Sequence, residues 1–163
     1  MTRSKTGFAA AVAVTASLAV AGPVQAETFR YAFQGDAQSL DPHALNETFT
    51  IGFHSNIYEG LIRRDTELNI EPALATDWEL LSPTHWRFHL REGVTFHNGN
   101  SFTADDVVFT FERIRMDGSD MGSKIAPNTE VIKVDDYTVD FKTAQPNPIL
   151  HYEWQDVFIM DKE

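Results

Sequence analysis

Three stretches of this sequence predict a mixed α/β fold. Trp86, Phe88 and Leu90 alternate with Arg87, His89 and Arg91, so one face is apolar and the other polar, as in a half-buried strand. Behind Thr103, residues Val107, Phe111 and Ile114 recur at helical spacing, and Asp105 and Asp106 sit where a helix dipole favours negative charge. Ile132 and Val134, then Tyr137, Val139 and Phe141, alternate on either side of Asp135-Asp136, which is the pattern of a hairpin.

Residues 1–26 read as a secretory signal peptide. Arg3 and Lys5 supply its positive start, and Phe8 to Ala21 its apolar run, which is shorter than the roughly 20 residues a spanning helix needs. Val24-Gln25-Ala26 places small residues where a signal peptidase reads, so cleavage is expected after Ala26. No cysteine follows Ala26, which excludes a lipid anchor there. Phe29, Tyr31 and Phe33 then alternate as a strand. Ser39-Leu40-Asp41-Pro42-His43 is a turn or extended segment, because Pro42 pushes Asp41 out of helical space.

A helix is expected from Glu47 to Glu59, with Phe49, Phe53 and Ile57 along one side and Gly60 at its end. Leu61 to Arg64 form a short strand before an Asp65–Asn69 turn. His97-Asn98-Gly99-Asn100 is a turn centred on Asn-Gly. Thr103 and Asp106 have the spacing of a capping box at the start of the central helix. Phe109 falls on the far side of that helix, either covered by another element or exposed. Met116 to Asn128, rich in Gly and Ser without periodicity, reads as a loop. Ile149 to Gln155 reads as a short helix and Val157 to Met160 as a buried strand.

The chain carries 13 Lys and Arg against 24 Asp and Glu, a formal net charge of −11. Losing the leader removes Arg3 and Lys5 and no acid, so the remainder is more acidic still. Such a surface repels phosphate backbones, and nucleic-acid binding is not expected. Absence of cysteine excludes disulfides, zinc–thiolate sites and Cys nucleophiles. A hydrophobic content of 42% points to a folded chain.

Catalytic motifs are absent: no Gly-x-Ser-x-Gly, no His-Glu-x-x-His, no phosphate loop and no Gly-x-Gly-x-x-Gly. Asp105-Asp106 and Asp135-Asp136 read as a helix start and a hairpin turn. His85 and His89 are four apart, but they lie on a strand beside Arg87 and read as a solvated face. No catalytic residue, metal ligand or cofactor is assigned, and the chain is not expected to be an enzyme.

Five pieces stand in a fixed order. They are Ser39-Leu40-Asp41-Pro42-His43; Tyr58-Glu59-Gly60-Leu61; Ala73-Leu74-Ala75 with Trp78; Trp86-x-Phe88-x-Leu90-Arg91-x-Gly93-Val94-x-Phe96 with Asn98-Gly99; and Thr103-Ala104-x-Asp106-Val107-x-Phe109-Thr110-Phe111-x-Arg113. Together they resemble the extracytoplasmic solute-binding proteins of ABC importers, in the peptide/nickel group (family 5 type). The resemblance implies a two-lobed, class II-like periplasmic clamshell. On it, residues 27–45 supply the first strand of lobe I, 46–155 a small α/β subdomain, and 156–163 a return strand toward lobe I, with the second lobe missing. It implies a periplasmic protein that binds a peptide or similar small solute, delivers it to an inner-membrane permease, and is monomeric when full length.

The loop after Asp-Pro-His faces the cleft in that family, which nominates Asn46, Glu47 and Thr48 as ligand-binding residues. Asn46 and Glu47 equally suit a helix start. In the full-length protein, Glu47→Ala is expected to weaken binding more than it lowers stability. Met121, Gly122 and Ser123 form a second candidate, with a plain surface loop as the alternative. Residues 27–163 alone are expected to bind ligand weakly, since about half of the clamshell contacts cannot form, and to be aggregation-prone or only marginally stable, since strand edges expected at Phe29–Phe33 and Val157–Met160 lack their partners. Two rival functions are a secreted hydrolase with an acidic site and a ligand sensor on the same fold.

Overall fold

The computed structural model describes Arg30 and residues 32–163. The expected leader, and Phe29 and Tyr31 of the first expected strand, lie outside the described residues. Ala32, Phe33 and Gln34 form no strand. The described helices and strands all belong to the unit Phe33–Glu163.

The centre of that unit is a four-stranded antiparallel sheet of β3 (Ala75–Ser82), β4 (His85–Leu90), β5 (Glu130–Asp135) and β6 (Thr138–Lys142), in the order β3-β4-β6-β5. A small ribbon of β1 (Ile62–Arg64) and β2 (Ile70–Pro72) precedes it, joined by the expected Asp65–Asn69 turn. The helices are α1 (Thr48–His54), α2 (Ala104–Arg113) and the one-turn α3 (Leu150–Glu153).

The alternation in β4 sets the layering. Trp86, Phe88 and Leu90 are buried, as are Val139 and Phe141 of the neighbouring β6. Against them lies α2, whose Val107, Phe111 and following Ile114 are all fully buried. Phe111 stands 4.9 Å from Phe141 and 4.7 Å from Trp154, ring centre to ring centre, with Phe141 and Trp154 4.6 Å apart. Inclined aromatic packing of this kind adds about 0.5–1.5 kcal/mol per pair beyond area burial. Phe109, off the core stripe, is half-buried.

The capping box at α2 forms, with the Thr103 amide donating to Asp106 Oδ2 at 2.8 Å. The 97–100 turn closes with Gly99 at φ 94°, a left-handed value that favours glycine, while the Asn98 side chain accepts from the Asn100 amide at 3.0 Å.

Four elements differ from expectation. The first is β3, an edge strand that sequence pattern did not mark: Leu80 and Leu81 are consecutive, and bulges between Ala75 and Asp77 and between Leu80 and Ser82 break the alternation. It exists because β4 pairs with it along its length. The second is the segment 116–128, which holds a 3-10 helix, Asp120–Lys124, started by the Ser119 hydroxyl accepting from the Met121 amide at 3.3 Å.

Third, Val157, Phe158 and Ile159 are buried as expected, yet they form no strand beyond one bridge between Gly60 and Phe158. A Cβ at Gly60 would meet the Val157 carbonyl at 3.0 Å and the Ile62 carbonyl at 3.2 Å, so any larger residue would have to push this backbone apart by a few tenths of an ångström. After the bridge, side chains of α2 replace a partner strand: Thr110 Oγ1 accepts from the Met160 amide at 3.0 Å and Asp106 Oδ1 from the Lys162 amide at 3.1 Å.

Fourth, α1 stops at His54 and turns its stripe outward. Its buried residues are Thr50 and His54, while Phe53 and Ile57 are 38% and 39% exposed. Phe49 stacks on Phe33 at 4.5 Å.

Candidate functional site

Residues 39–43 form a strap bound from several elements. Asp41 cannot be helical before Pro42, and local bonds fix it: its amide donates to Ser39 Oγ at 3.0 Å, and its Oδ1 accepts from the His43 amide at 3.0 Å. From α1, His54 Nε2 donates to the Ser39 carbonyl at 2.9 Å, and Tyr58, just beyond, donates its hydroxyl to the Leu40 carbonyl at 2.9 Å.

Arg113, in the last turn of α2, forks onto Asp41, with Nη1 to Oδ1 at 3.1 Å and Nη2 to Oδ2 at 2.6 Å. This guanidinium holds the Asp41 carboxyl below its usual range. The same Nη1 lies 2.7 Å from His43 Nδ1, and His43 Nε2 lies 2.9 Å from the Phe158 carbonyl. Guanidinium only donates and a carbonyl only accepts, so His43 is the neutral tautomer with its proton on Nε2. His43 is fully buried, and burial first, then Arg113, pushes its pKa down.

Ser119 Oγ donates to the His43 carbonyl at 3.0 Å. That bond ties the strap to the loop after α2. A hollow of about 160 Å³ lies at the junction, lined by Asp41, His43, Arg113, Met116 and Ser119 among others. The two loops nominated from sequence follow this junction in the chain, 46–48 after His43 and 121–123 after Ser119.

Their residues are placed differently. Asn46 and Thr48 are exposed. Glu47 caps α1: Oε1 accepts from the Phe49 amide and Oε2 from the Thr50 amide, both at 2.8 Å. Those two amides lower its pKa. Met121, nominated from sequence as a solute contact, is instead fully buried in the core, backbone included, because its side chain fills the apolar cluster behind α2. Gly122 is packed so closely that a Cβ would stand 3.2 Å from the Ile114 carbonyl. Ser123 is exposed, its hydroxyl 3.4 Å from the Asp120 carbonyl.

Sequence pattern missed the link between Asp41, His43 and Arg113. Asp41-Pro42-His43 was legible as a turn, but no periodicity connects it to a residue 72 positions later.

The outer face of the sheet carries a second polar group. Asp140 takes Arg87 through both oxygens, at 2.7 and 2.9 Å, and His85 at 2.9 Å. His89 stands 3.9 Å from Asp77 and 3.8 Å from Glu79. Among the described residues no group of three or more His, Cys, Asp or Glu is arranged to hold a metal ion. Roomier hollows lie elsewhere, one of about 380 Å³ between Val94, Phe96, Phe102 and Ile159. The nominated loops do not line it.

Comparison with known proteins places these features. The profile of the bacterial extracellular solute-binding proteins, family 5, middle region, matches residues 69–162. The periplasmic oligopeptide-binding protein OppA of Salmonella typhimurium is 28% identical over 135 residues, covering 71% of this chain and 25% of that protein. The transcriptional regulator SgrR of Escherichia coli O6:K15:H31, of the helix-turn-helix type, is 36% identical over 92 residues, covering 56% of this chain and 16% of that protein. Among solved structures, MoaA of A. tumefaciens R10 in complex with mannopinic acid superposes with a TM-score of 0.67 at 32% identity, covering 78% of this chain and 28% of that one. The chain thus spans about a quarter or less of the length of the curated relatives it matches.

Proposed function

The chain belongs to the bacterial extracellular solute-binding proteins of family 5, and we propose that it serves as part of a periplasmic substrate-binding component of an ABC importer that takes a peptide or similar small solute. Members of this family bind solutes; none of the motifs that would suggest catalysis occurs in the sequence. The observation that carries the reading is the family match over the sheet and α2, joined to the likeness to an oligopeptide-binding protein.

Export through the leader follows from the same reading, with Glu27 as the new N-terminus. Mass spectrometry of the exported protein checks this, and retention of Met1 would contradict it. The partners are the solute and an inner-membrane permease.

At the site, exposed Asn46, Thr48 and Ser123 are the side chains offered to a solute, with half-buried Gly122 next to Ser123 in the chain. Glu47 shapes the first loop by holding α1 in place. Residues 27–45 and 156–163 belong with lobe I, and 46–155 with its smaller subdomain. The test is calorimetric titration of the exported full-length protein with pooled short peptides, against nickel–histidine and opine controls. Saturable binding of peptides supports the reading, and binding confined to the controls redirects it.

A second reading, solute sensing, is favoured by the similarity to SgrR. Specific DNA binding by the intact gene product would mark it.

A further inference from the structure

His43 faces two opposite demands. Its Nδ1 must accept from Arg113 at 2.7 Å, and its Nε2 must donate to the Phe158 carbonyl at 2.9 Å. The neutral ring meets both. A second proton on Nδ1 would remove the acceptor and set an imidazolium against a guanidinium inside the fold. The charged and titratable groups around it are Asp41 on its own strap, Arg113 on α2, His54 on α1 and Asp117, which lines the same hollow from the loop after α2. Its other partners, the Phe158 carbonyl and the Ser119 hydroxyl, are neutral.

These contacts lie where the two nominated loops originate. The strap runs on into Asn46–Thr48. Arg113 closes α2, whose following loop holds Ser119 and then Met121–Ser123. Asp41 and Arg113 fix one to the other, and Ser119 bonds back to the strap through the His43 carbonyl.

We propose, resting on the solute-binding reading above, that Asp41, His43 and Arg113 are positioning residues for the two ligand loops, and that they release those loops when the medium turns acidic. The sign follows from linkage. A histidine whose pKa is lowered by folding keeps its native contacts above the ordinary histidine value and loses them as the pH falls below it. Burial acts in that direction, helped by Arg113 and His54, and outweighs the Phe158 carbonyl and Asp41, which oppose it. The loops are therefore held at neutral pH and loosened in acid, and solute affinity falls with them.

Hydrogen exchange with mass spectrometry on the intact exported protein, without solute, tests this. At about pH 7.5 and about pH 5.5, on either side of the ordinary histidine value, rates are corrected for intrinsic exchange. Segments 39–48 and 116–123 are expected to lose protection about tenfold or more in acid, while β4 and β6 hold theirs. His43→Gln presents an oxygen to Arg113 and an N–H to the Phe158 carbonyl without titrating, and should abolish the response. Asp41→Asn breaks the charged fork that ties Arg113 to the strap, and should lower protection of both segments already at neutral pH. Equal protection at both pH values in the wild type overturns the proposal, as does an unchanged response in His43→Gln; should that variant not fold, wild-type protection at neutral pH in Asp41→Asn does the same. Because no solute enters the experiment, its failure leaves the solute-binding reading standing. Failure of peptides to bind at neutral pH sinks that reading instead.

Discussion

Glu47 gives both carboxylate oxygens to amides at the start of α1. Sequence offered two roles for it, solute contact and helix start, and the second is the one with visible partners. Glu47→Gln should therefore lower the melting temperature at neutral pH. The pH dependence has a definite sign. Those amides lower the carboxyl's pKa in the folded protein, so its stabilisation is present above the ordinary Glu value and is lost as pH falls through the folded one. Melting curves of wild type and variant should converge in acid, and a constant gap would contradict the cap. Asp140 makes a second case. Its side chain is 8% exposed and receives Arg87 twice and His85 once. Asp140→Ala should cost about 1.5–3 kcal/mol, the range for charge-assisted bonds, by denaturant unfolding. A loss below the low end of that range would show the cluster to be solvated display. Neither partner could be foreseen from spacing, since β4 and β6 meet only through the fold.

At the scale of elements, period alone was a good guide where burial agreed with it and a poor one where it did not. The stripe of α2 was legible because Val107, Phe111 and Ile114 all turn inward. Phe111→Ala should cost about 3–5 kcal/mol by denaturant unfolding, as large core truncations do. The stripe of α1 has equal periodicity, yet Thr50 and His54 are its buried residues, and His54 turns inward to bond the Ser39 carbonyl of the strap. Phe53→Ala should accordingly cost much less than Phe111→Ala, and similar losses would mean that Phe53 is covered in solution. In β5 the core-facing residue is Val131, opposite Phe141, while Val134 is 47% exposed. Lys133, on the same face as Val131, instead reaches Asp105 at 3.0 Å, a charge that guards the sheet edge. β3 was hidden because pairing and bulges made it a strand, and neither leaves a local pattern.

At the scale of the molecule, the order of short pieces carried more than any one of them. The aromatic strand, the Asn-Gly turn and the capped helix are each common. Their sequence in one chain identified the family, and residues 69–162 match its profile. The site was less legible, because the strap meets α2 through contacts between distant residues, and solute identity resides in a few exposed side chains that any fold of this class could vary. The most direct test of the central claim is thermal melting with calorimetry on the exported full-length protein, with both lobes present, at neutral pH, titrated with pooled short peptides. The account predicts saturable binding, a melting temperature that rises with peptide concentration, and recovery of the peptides intact. Cleavage of the peptides with turnover, or neither heat nor melting shift from any of them, would contradict it.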